Sequence, residues 1–419
     1  MPSYSIPRET EVVFQKEILD NPLLSHLPAE LKGLGKNVHF EGNGKRKPSV
    51  PINWRFAESV ASLKALEATF MNYLLTRKYK VSPVDVTITT IIHNSLGSLH
   101  RSTVTGIYKT NDGRLYHVHG SMNAVPTLAA LGLPPDGEPD DTHDKAFERI
   151  QKKVFEHDAA ELDELMNEKY RQAGTMRTLG KANVSIGLHG LSQVPGSTQS
   201  PSWWPENSGL PSSPKRPLAG LKIVDLNRVI AGPAITRGLA ELGASVMRVV
   251  SPHIPDLTPV LHDLSCFGPG SEPISLGFGK AMGLDEAVTS IFPNSDFCTG
   301  IAGTSGVLDA LVQRAEKGGS YTVDVWKRHG SPVFNHWENM QLMLPKLFKL
   351  LYMHDKDVLF NPAFFEPRRA NAIGATLIMP KPVTQYKDKA VEPGYKIGVR
   401  GNGVDKPMWP EDLSVEIVQ

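Results

Sequence analysis

Cysteine is almost missing from this chain. Two among 419 residues, Cys266 and Cys298, exclude a disulfide-built scaffold and suit a reducing compartment. No Cys-x-x-Cys pair occurs, which removes the usual thiolate zinc site. Long apolar runs are missing too. Nothing reaches the roughly 18 residues that a membrane helix needs. The opening MPSYSIPRETEVVFQKEI has no apolar core of a secretory signal. The closing VEIVQ carries neither a prenylation box nor a peroxisomal address, so a cytoplasmic location is the default expectation. Charge of one sign is also lacking: 45 Lys and Arg face 44 Asp and Glu. That balance gives no electrostatic case for a nucleic acid or an anionic membrane as partner. Neither HExxH nor a P-loop is present. Gly303-Thr304-Ser305-Gly306 is one residue too short for a nucleophile elbow. His117 and His119 alternate along one predicted strand without a third ligand, so no metal is expected.

What is present is ordinary for a globular protein: 40% hydrophobic and 21% charged residues, in a length that suits two or three domains. Residues 1–50 are rich in turn formers and read as a surface arm. Residues 51–190 form a first region. Within it, 54–79 reads as a long amphipathic helix with Phe56, Val60, Leu63, Phe70 and Leu74 on one face. Residues 84–92 are β-rich, and 106–119 read as a hairpin turning at Asn111-Asp112-Gly113. Residues 144–170 are helical and strongly charged. Residues 191–216 are Pro- and Ser-rich and read as a linker, with Trp203-Trp204 as a docking anchor. From 217 to 419, helical signals at 299–317 and 338–351 alternate with strand signals at 320–325, 373–379 and 394–399. The alternation gives an α/β class.

The second region opens on PLAGLKIVDLNRVIAGPAITRGLAELGASVMRVV, residues 217–250. Ile223, Val224 and Leu226 form a short strand. Gly232-Pro233 starts a helix, because proline's missing N–H costs nothing there. Ile235, Leu239 and Leu242 share one helix face, and Gly243 supplies a C-terminal cap. Val246, Met247, Val249 and Val250 make a second buried strand. A strand, a helix and a second strand is how a parallel sheet begins.

This wording resembles the opening of the family III CoA-transferases (CaiB/BaiF type), which include formyl-CoA transferase and the α-methylacyl-CoA racemases. Residues 288–325, VTSIFPNSDFCTGIAGTSGVLDALVQRAEKGGSYTVDV, resemble a second block of the same family: Asp, two residues, Thr-Gly, helix, Gly-rich turn, strand. The resemblance implies a nucleotide-binding-like, Rossmann-type parallel sheet domain in 217–419. It implies a smaller mixed α/β domain before the linker, as a distal family half fused ahead of a proximal one. It implies that Asp296 is the catalytic carboxylate, attacking an acyl-CoA thioester to form an aspartyl anhydride from which a carboxylate acceptor takes the CoA. Coenzyme A enters as substrate, and the family's interlocked assembly implies a homodimer. Arg228, Val229, Ala231, Gly232 and Arg248 match the region beside bound CoA, with Gly232-Pro233 offering backbone N–H groups to a phosphate.

Other readings stay open on the residues themselves. Asp296 or Thr299 can simply cap the helix that follows, and Cys298 reads as a small buried hydrophobe. Arg228 and Arg248 can be solvated charges. Ile230 and Ser251 depart from the family's usual residues. The racemase branch would use the matching aspartate as half of an acid/base pair that moves an α-proton. Only 45 residues separate Val250 from Asp296, too few for the further βα units of a full sheet at usual connection lengths. Abrupt joins near 263–273 and 324–328 suggest internal shortening, and a non-enzymatic remnant is the third reading.

Overall fold

The computed structural model describes residues 4–21, 27–42, 56–90, 104, 106–120, 124–138, 143–170, 175–176, 190–227, 231–249, 294–325, 362–398, 400 and 403–418. The N-terminal part holds α1 (Ile6–Val12), continued by a π-helical turn to Leu19, then α2 (Ala29–Leu34) and β1 (Val38–Glu41). A long helix, α3 (Phe56–Leu74), follows, then β2 (Val86–Thr89). Strand β1 runs parallel to β2, and residues 384–386 pair antiparallel on its other side, so the two ends of the chain share one sheet. Within the expected arm at 1–50, residues 6–21 and 27–41 are thus built into the fold. Phe14, Ile18, Leu19 and Leu31 are buried in the main core. Gly35 serves close packing: a Cβ there would overlap Leu19 Cδ1 and lie 3.3 Å from the Phe14 ring.

The helix at 54–79 forms, but it is not amphipathic. Leu63, Leu66, Phe70 and Leu74 are buried, and so are the polar Ser62, Lys64, Glu67, Thr69 and Asn72. Each polar group is met from within. Asn72 donates to Val84 O at 2.8 Å and accepts from Val84 N at 3.0 Å. The Thr69 hydroxyl donates to Ala65 O. Lys64 Nζ donates to Glu67 Oε1 at 2.6 Å and lies 3.7 Å from Glu241 Oε2. Burial alone would lower the pKa of this ammonium, but the two facing carboxylates outweigh it and hold Lys64 above the usual lysine range.

A second core lies in the region after β2. Strands β3 (Gly106–Lys109) and β4 (Leu115–Val118) form the expected antiparallel hairpin. Gly113 takes φ 76 at the turn, and its N–H donates to Thr110 O. Asp112 accepts from Arg114 Nε at 2.6 Å and from the Thr110 hydroxyl, which hold its carboxyl far below the usual range. Helices α4 (Val125–Ala130), α5 (His143–Val154) and α6 (Ala159–Asp163), with strand β5 (Thr175–Met176) on β4, enclose Tyr108, Tyr116, Leu128, Ile150 and Leu162. His117 is buried in β4, its ring 5.7 Å from that of His119. Burial, and then the neighbouring His119, push its pKa down to about 3. Among the described residues no group of three or more metal-ligating side chains forms.

The expected linker is tied down. Strand β6 (Gly190–Gln193) pairs antiparallel with residues 321–324. Trp204 acts as the docking anchor: its indole N–H donates to Ala219 O at 2.9 Å, and Lys78 Nζ sits 3.8 Å from its ring centroid. Beyond it, β7 (Lys222–Asp225), α7 (Ala231–Glu241) and β8 (Ser245–Arg248) form the strand–helix–strand unit, paired parallel from Lys222↔Ser245 to Asp225↔Arg248. Its strands are not buried as the sequence suggests: Val224, Leu226 and Val249 are half or more exposed. Among the described residues this parallel sheet has two strands, not the larger Rossmann-type sheet.

Next come α8 (Asn294–Lys317), β9 (Tyr321–Asp324), the hairpin of β10 (Phe365–Ala370) and β11 (Ala375–Pro380), and β12 (Thr384–Tyr386). The strand expected at 373–379 is β11. Residues 394–398 are not a strand; the carbonyls of Glu392 and Gly394 instead accept from Arg216 Nη1. The helix expected at 338–351 and the join at 263–273 lie outside the described residues, as do residues 326–328 of the second join. No described helix is long and apolar enough to cross a membrane.

Two measurements check these interiors. Lys64→Met strands Glu67 and Glu241 without their cation and should cost about 3–5 kcal/mol in chemical denaturation. Removing both charges, Lys64→Met with Glu67→Leu, should cost markedly less. For His117 the unfolded state takes up a proton below about pH 6.5 that the folded state refuses until about pH 3. Stability should therefore be full above pH 7 and fall by up to about 1.4 kcal/mol per pH unit as pH drops through that window. His117→Leu should flatten that limb of the profile.

Candidate functional site

Helix α8 begins at Asn294, about one turn earlier than its apolar pattern suggests. Asn294, Ser295 and Asp296 all favour helix starts. Asp296 is thus the third residue of the helix rather than a residue before it. The turn it occupies carries backbone N–H groups without intrahelical partners.

Three glycines then let α8 lie close against α7. A Cβ on Gly300 would stand 3.1 Å from Ala231 O and overlap the Ala234 methyl. A Cβ on Gly303 would overlap Ile235. On α7, a Cβ on Gly238 would lie 2.7 Å from Thr304 Oγ1, whose hydroxyl contacts Ile235 O at 3.3 Å and Gly300 O at 3.1 Å. These contacts climb both helices together, so the helices run parallel and their N-termini lie at one end. Asp296 is one turn before Gly300, about 6 Å along the axis. Ala302, Leu308 and Val312 bury the other side of α8 in the main core with α3, and Cys298 is partly buried against it.

The strands end at the same place. In a right-handed βαβ unit the helix starts beside the carboxyl end of the strand before it, where open α/β sheets bind ligands. Asp225 closes β7 there and is 2% exposed. One carboxylate oxygen accepts from the Thr236 hydroxyl at 2.7 Å, the other from Asn227 N at 2.8 Å. The Asn227 side chain lies over Gly232, where any Cβ would overlap it. Gly232 is therefore required by its protein neighbour.

Of the residues singled out from sequence, Ala231 and Gly232 sit in the first turn of α7, level with Gly300 of α8, one turn after Asp296. Arg248 ends β8, opposite Asp225 in register. Arg228 and Val229 lie outside the described residues, and of Asp296 the backbone position is what is described. Sequence reasoning passed over Asp225, Thr236 and the glycines of the crossing. Gly300 and Gly303 at i, i+3 on a helix carried the readable signal, since small residues at that spacing permit close approach. The two helices point their positive dipole ends to the same side, with α8 starting about 9 Å beyond the level of Ala231, a setting that favours negative charge.

The crossing reverses an ordinary preference. In an exposed helix Gly→Ala stabilises by about 1 kcal/mol. Gly300→Ala should instead destabilise by about 1–3 kcal/mol through overlap with Ala234, measured by urea unfolding. Pairing it with Ala234→Gly should recover most of that loss.

The family model for CoA-transferase family III matches residues 218–268. The acetyl-coenzyme A transferase nodX of Hypoxylon pulicicidum is 40% identical, over 99% of this chain and 95% of that protein. That alignment runs over 566 positions while the chain has 419 residues, so at least 147 positions are filled in the relative alone. An acyl-CoA transferase of Gibberella moniliformis (strain M3125 / FGSC 7600) is 35% identical over 193 residues, 42% of this chain and 30% of that protein. No solved structure matches. With a relative of this identity matched along nearly the whole of both chains, this chain belongs to CoA-transferase family III.

Proposed function

We propose that the chain transfers coenzyme A from an acyl-CoA to a carboxylate, with Asp296 as the nucleophile. The observation that carries this is the parallel packing of α7 and α8, which turns both N-termini to the side where β7 and β8 end. Acetyl-CoA is the first donor to test, since the relative matched along 99% of this chain bears that name. The unit β7–α7–β8 serves as the opening of a nucleotide-binding sheet. The first turn of α7, with Ala231 and Gly232, holds the anionic CoA. Arg228, Val229 and Arg248 add contacts from the strand ends. A homodimer belongs to the same reading.

The chemistry follows from a carboxylate at a helix start. The local dipole favours its ionised form by about 0.3–1 kcal/mol, and the ionised form is the nucleophile. An Asp296 oxygen bonds to the thioester carbonyl carbon, the C–S bond breaks, and CoA leaves as thiolate with the electron pair. A mixed anhydride remains on the enzyme. The thiolate then attacks the aspartyl carbonyl, releasing the first acid and leaving an aspartyl thioester. The acceptor carboxylate repeats the exchange in reverse: it displaces CoA to form a second anhydride. The thiolate then takes the acceptor's acyl group and frees Asp296. No step transfers a proton. Negative charge moves between carboxylate and thiolate, and the paired helix N-termini stabilise it.

Asp296→Asn should lower transfer by at least about a thousandfold while CoA binding persists. Hydroxylamine added during turnover with acetyl-CoA should mark Asp296 as its hydroxamate, read by peptide mass. Full activity in Asp296→Asn, or turnover without that mark, rejects the assignment. Exchange of α-protons with solvent, without a hydroxamate, would point to the racemase chemistry instead.

A further inference from the structure

Asp225 is a carboxylate buried at 2% exposure, and its oxygens are taken by uncharged groups of the chain. Burying a carboxylate is unfavourable unless hydrogen bonds meet it, and a simple turn after a strand needs only a backbone hydrogen bond or a hydroxyl. Here the carboxylate does two things at once. It accepts from Asn227 N at 2.8 Å, on the side where the chain leaves β7. It also accepts from the Thr236 hydroxyl at 2.7 Å, in the second turn of α7. The two flanks of the connection between strand and helix are thus tied to one group. Asn227, held by that bond, places its side chain over Gly232, so the tie reaches the first turn of α7. Thr236 is itself buried and also contacts Pro233 O at 3.2 Å.

We propose that Asp225 is a positioning residue: through Asn227 and Thr236 it sets the first turn of α7 in the orientation that receives the anionic part of coenzyme A. This rests on the CoA-transferase reading above. It also makes a signed claim. A negative charge beneath an anion site opposes the anion by simple electrostatics, so removing that charge should tighten CoA binding if charge were all that mattered. If orientation dominates, removing it weakens binding.

The experiment measures CoA affinity by titration calorimetry, together with KM and kcat for acetyl-CoA and the thermal midpoint. The proteins are the full chain, Asp225→Asn, Thr236→Val and Thr236→Ser. Asp225→Asn should raise the Kd and KM by about tenfold with kcat little changed. Thr236→Val should shift them the same way, and Thr236→Ser, which keeps the hydroxyl, should restore them. Phe14→Leu, in the core near Gly35, should lower the thermal midpoint without moving the Kd, which separates positioning from general loss of stability. Unchanged or tighter CoA binding in both Asp225→Asn and Thr236→Val overturns the proposal. Should Asp225→Asn not fold, the contrast between Thr236→Val and Thr236→Ser decides alone. If the unaltered chain binds no CoA, the transferase reading fails and this proposal with it. If it binds CoA and the variants bind equally, only the positioning role fails.

Discussion

Lys64 keeps its charge inside the protein because carboxylates from two different helices meet it there. Glu67 stands one turn along α3 at 2.6 Å, and Glu241 at 3.7 Å is the last residue of α7. Desolvating such a group is unfavourable by several kcal/mol, and attraction in a low-dielectric interior offsets this only with close partners. The contact therefore specifies more than it stabilises: α7 can dock on α3 only where Glu241 reaches Lys64. The same helix end is held from two further segments. Arg216 Nη1 donates to Glu241 O at 3.0 Å, and Gly394 N donates to it at 2.8 Å. Arg237 Nε, one turn back, donates to the Tyr395 hydroxyl at 2.9 Å. Regions far apart in sequence thus agree on one position for the C-terminal end of α7.

On the proposed reading the N-terminal end of that helix receives the anion, and distance between the two ends then matters. Ten residues from Ala231 to Glu241 span about 15 Å. One uncompensated negative charge at the Lys64 cluster sets the upper limit of its effect there. At 15 Å and an effective dielectric constant of 20, this opposes a unit anion at the other end by only about 1 kcal/mol. At 4 Å the figure would be about 4 kcal/mol. The anchoring charges and the anion site can share one helix because its length separates them.

What the sequence disclosed was local. Asn111-Asp112-Gly113 between alternating residues sufficed for the β3–β4 hairpin, and Ile223 to Met247 sufficed for β7–α7–β8, because neighbours along the chain make those bonds. Partners distant in sequence were not legible. The amphipathic reading of 54–79 left no place for a buried Lys64 and Glu67, since nothing nearby announces Glu241. Residues 1–50 read as an arm because they are rich in turn formers, yet Phe14 and Leu31 complete a core supplied by α3. At the site, the family-like blocks pointed to the two helix starts. Asp225 was not legible, because an aspartate after a strand looks like any turn former until Thr236 and Asn227 are seen around it.

The shortening relative to nodX bears on what the site needs. Among the described residues the parallel sheet has two strands, with Val224 and the flanking Leu226 and Val249 half or more exposed, too small to hold a ligand site by its own burial. The described site does not lean on that sheet alone. Helix α8 is fixed by α3 through Leu308 and Val312, and β9, which follows it, is paired with β6. Helix α7 is fixed to α8 by the glycine crossing and to α3 by Glu241. The relation between the two helix starts is therefore set by helix-on-helix contacts, and β7 adds the carboxylate that orients the turn between them. Loss of further strands would weaken the support behind β7 and β8 while leaving the α7–α8 crossing intact. The spacing between Asp296 and the first turn of α7 is therefore the property of the unit least sensitive to how many strands the sheet holds.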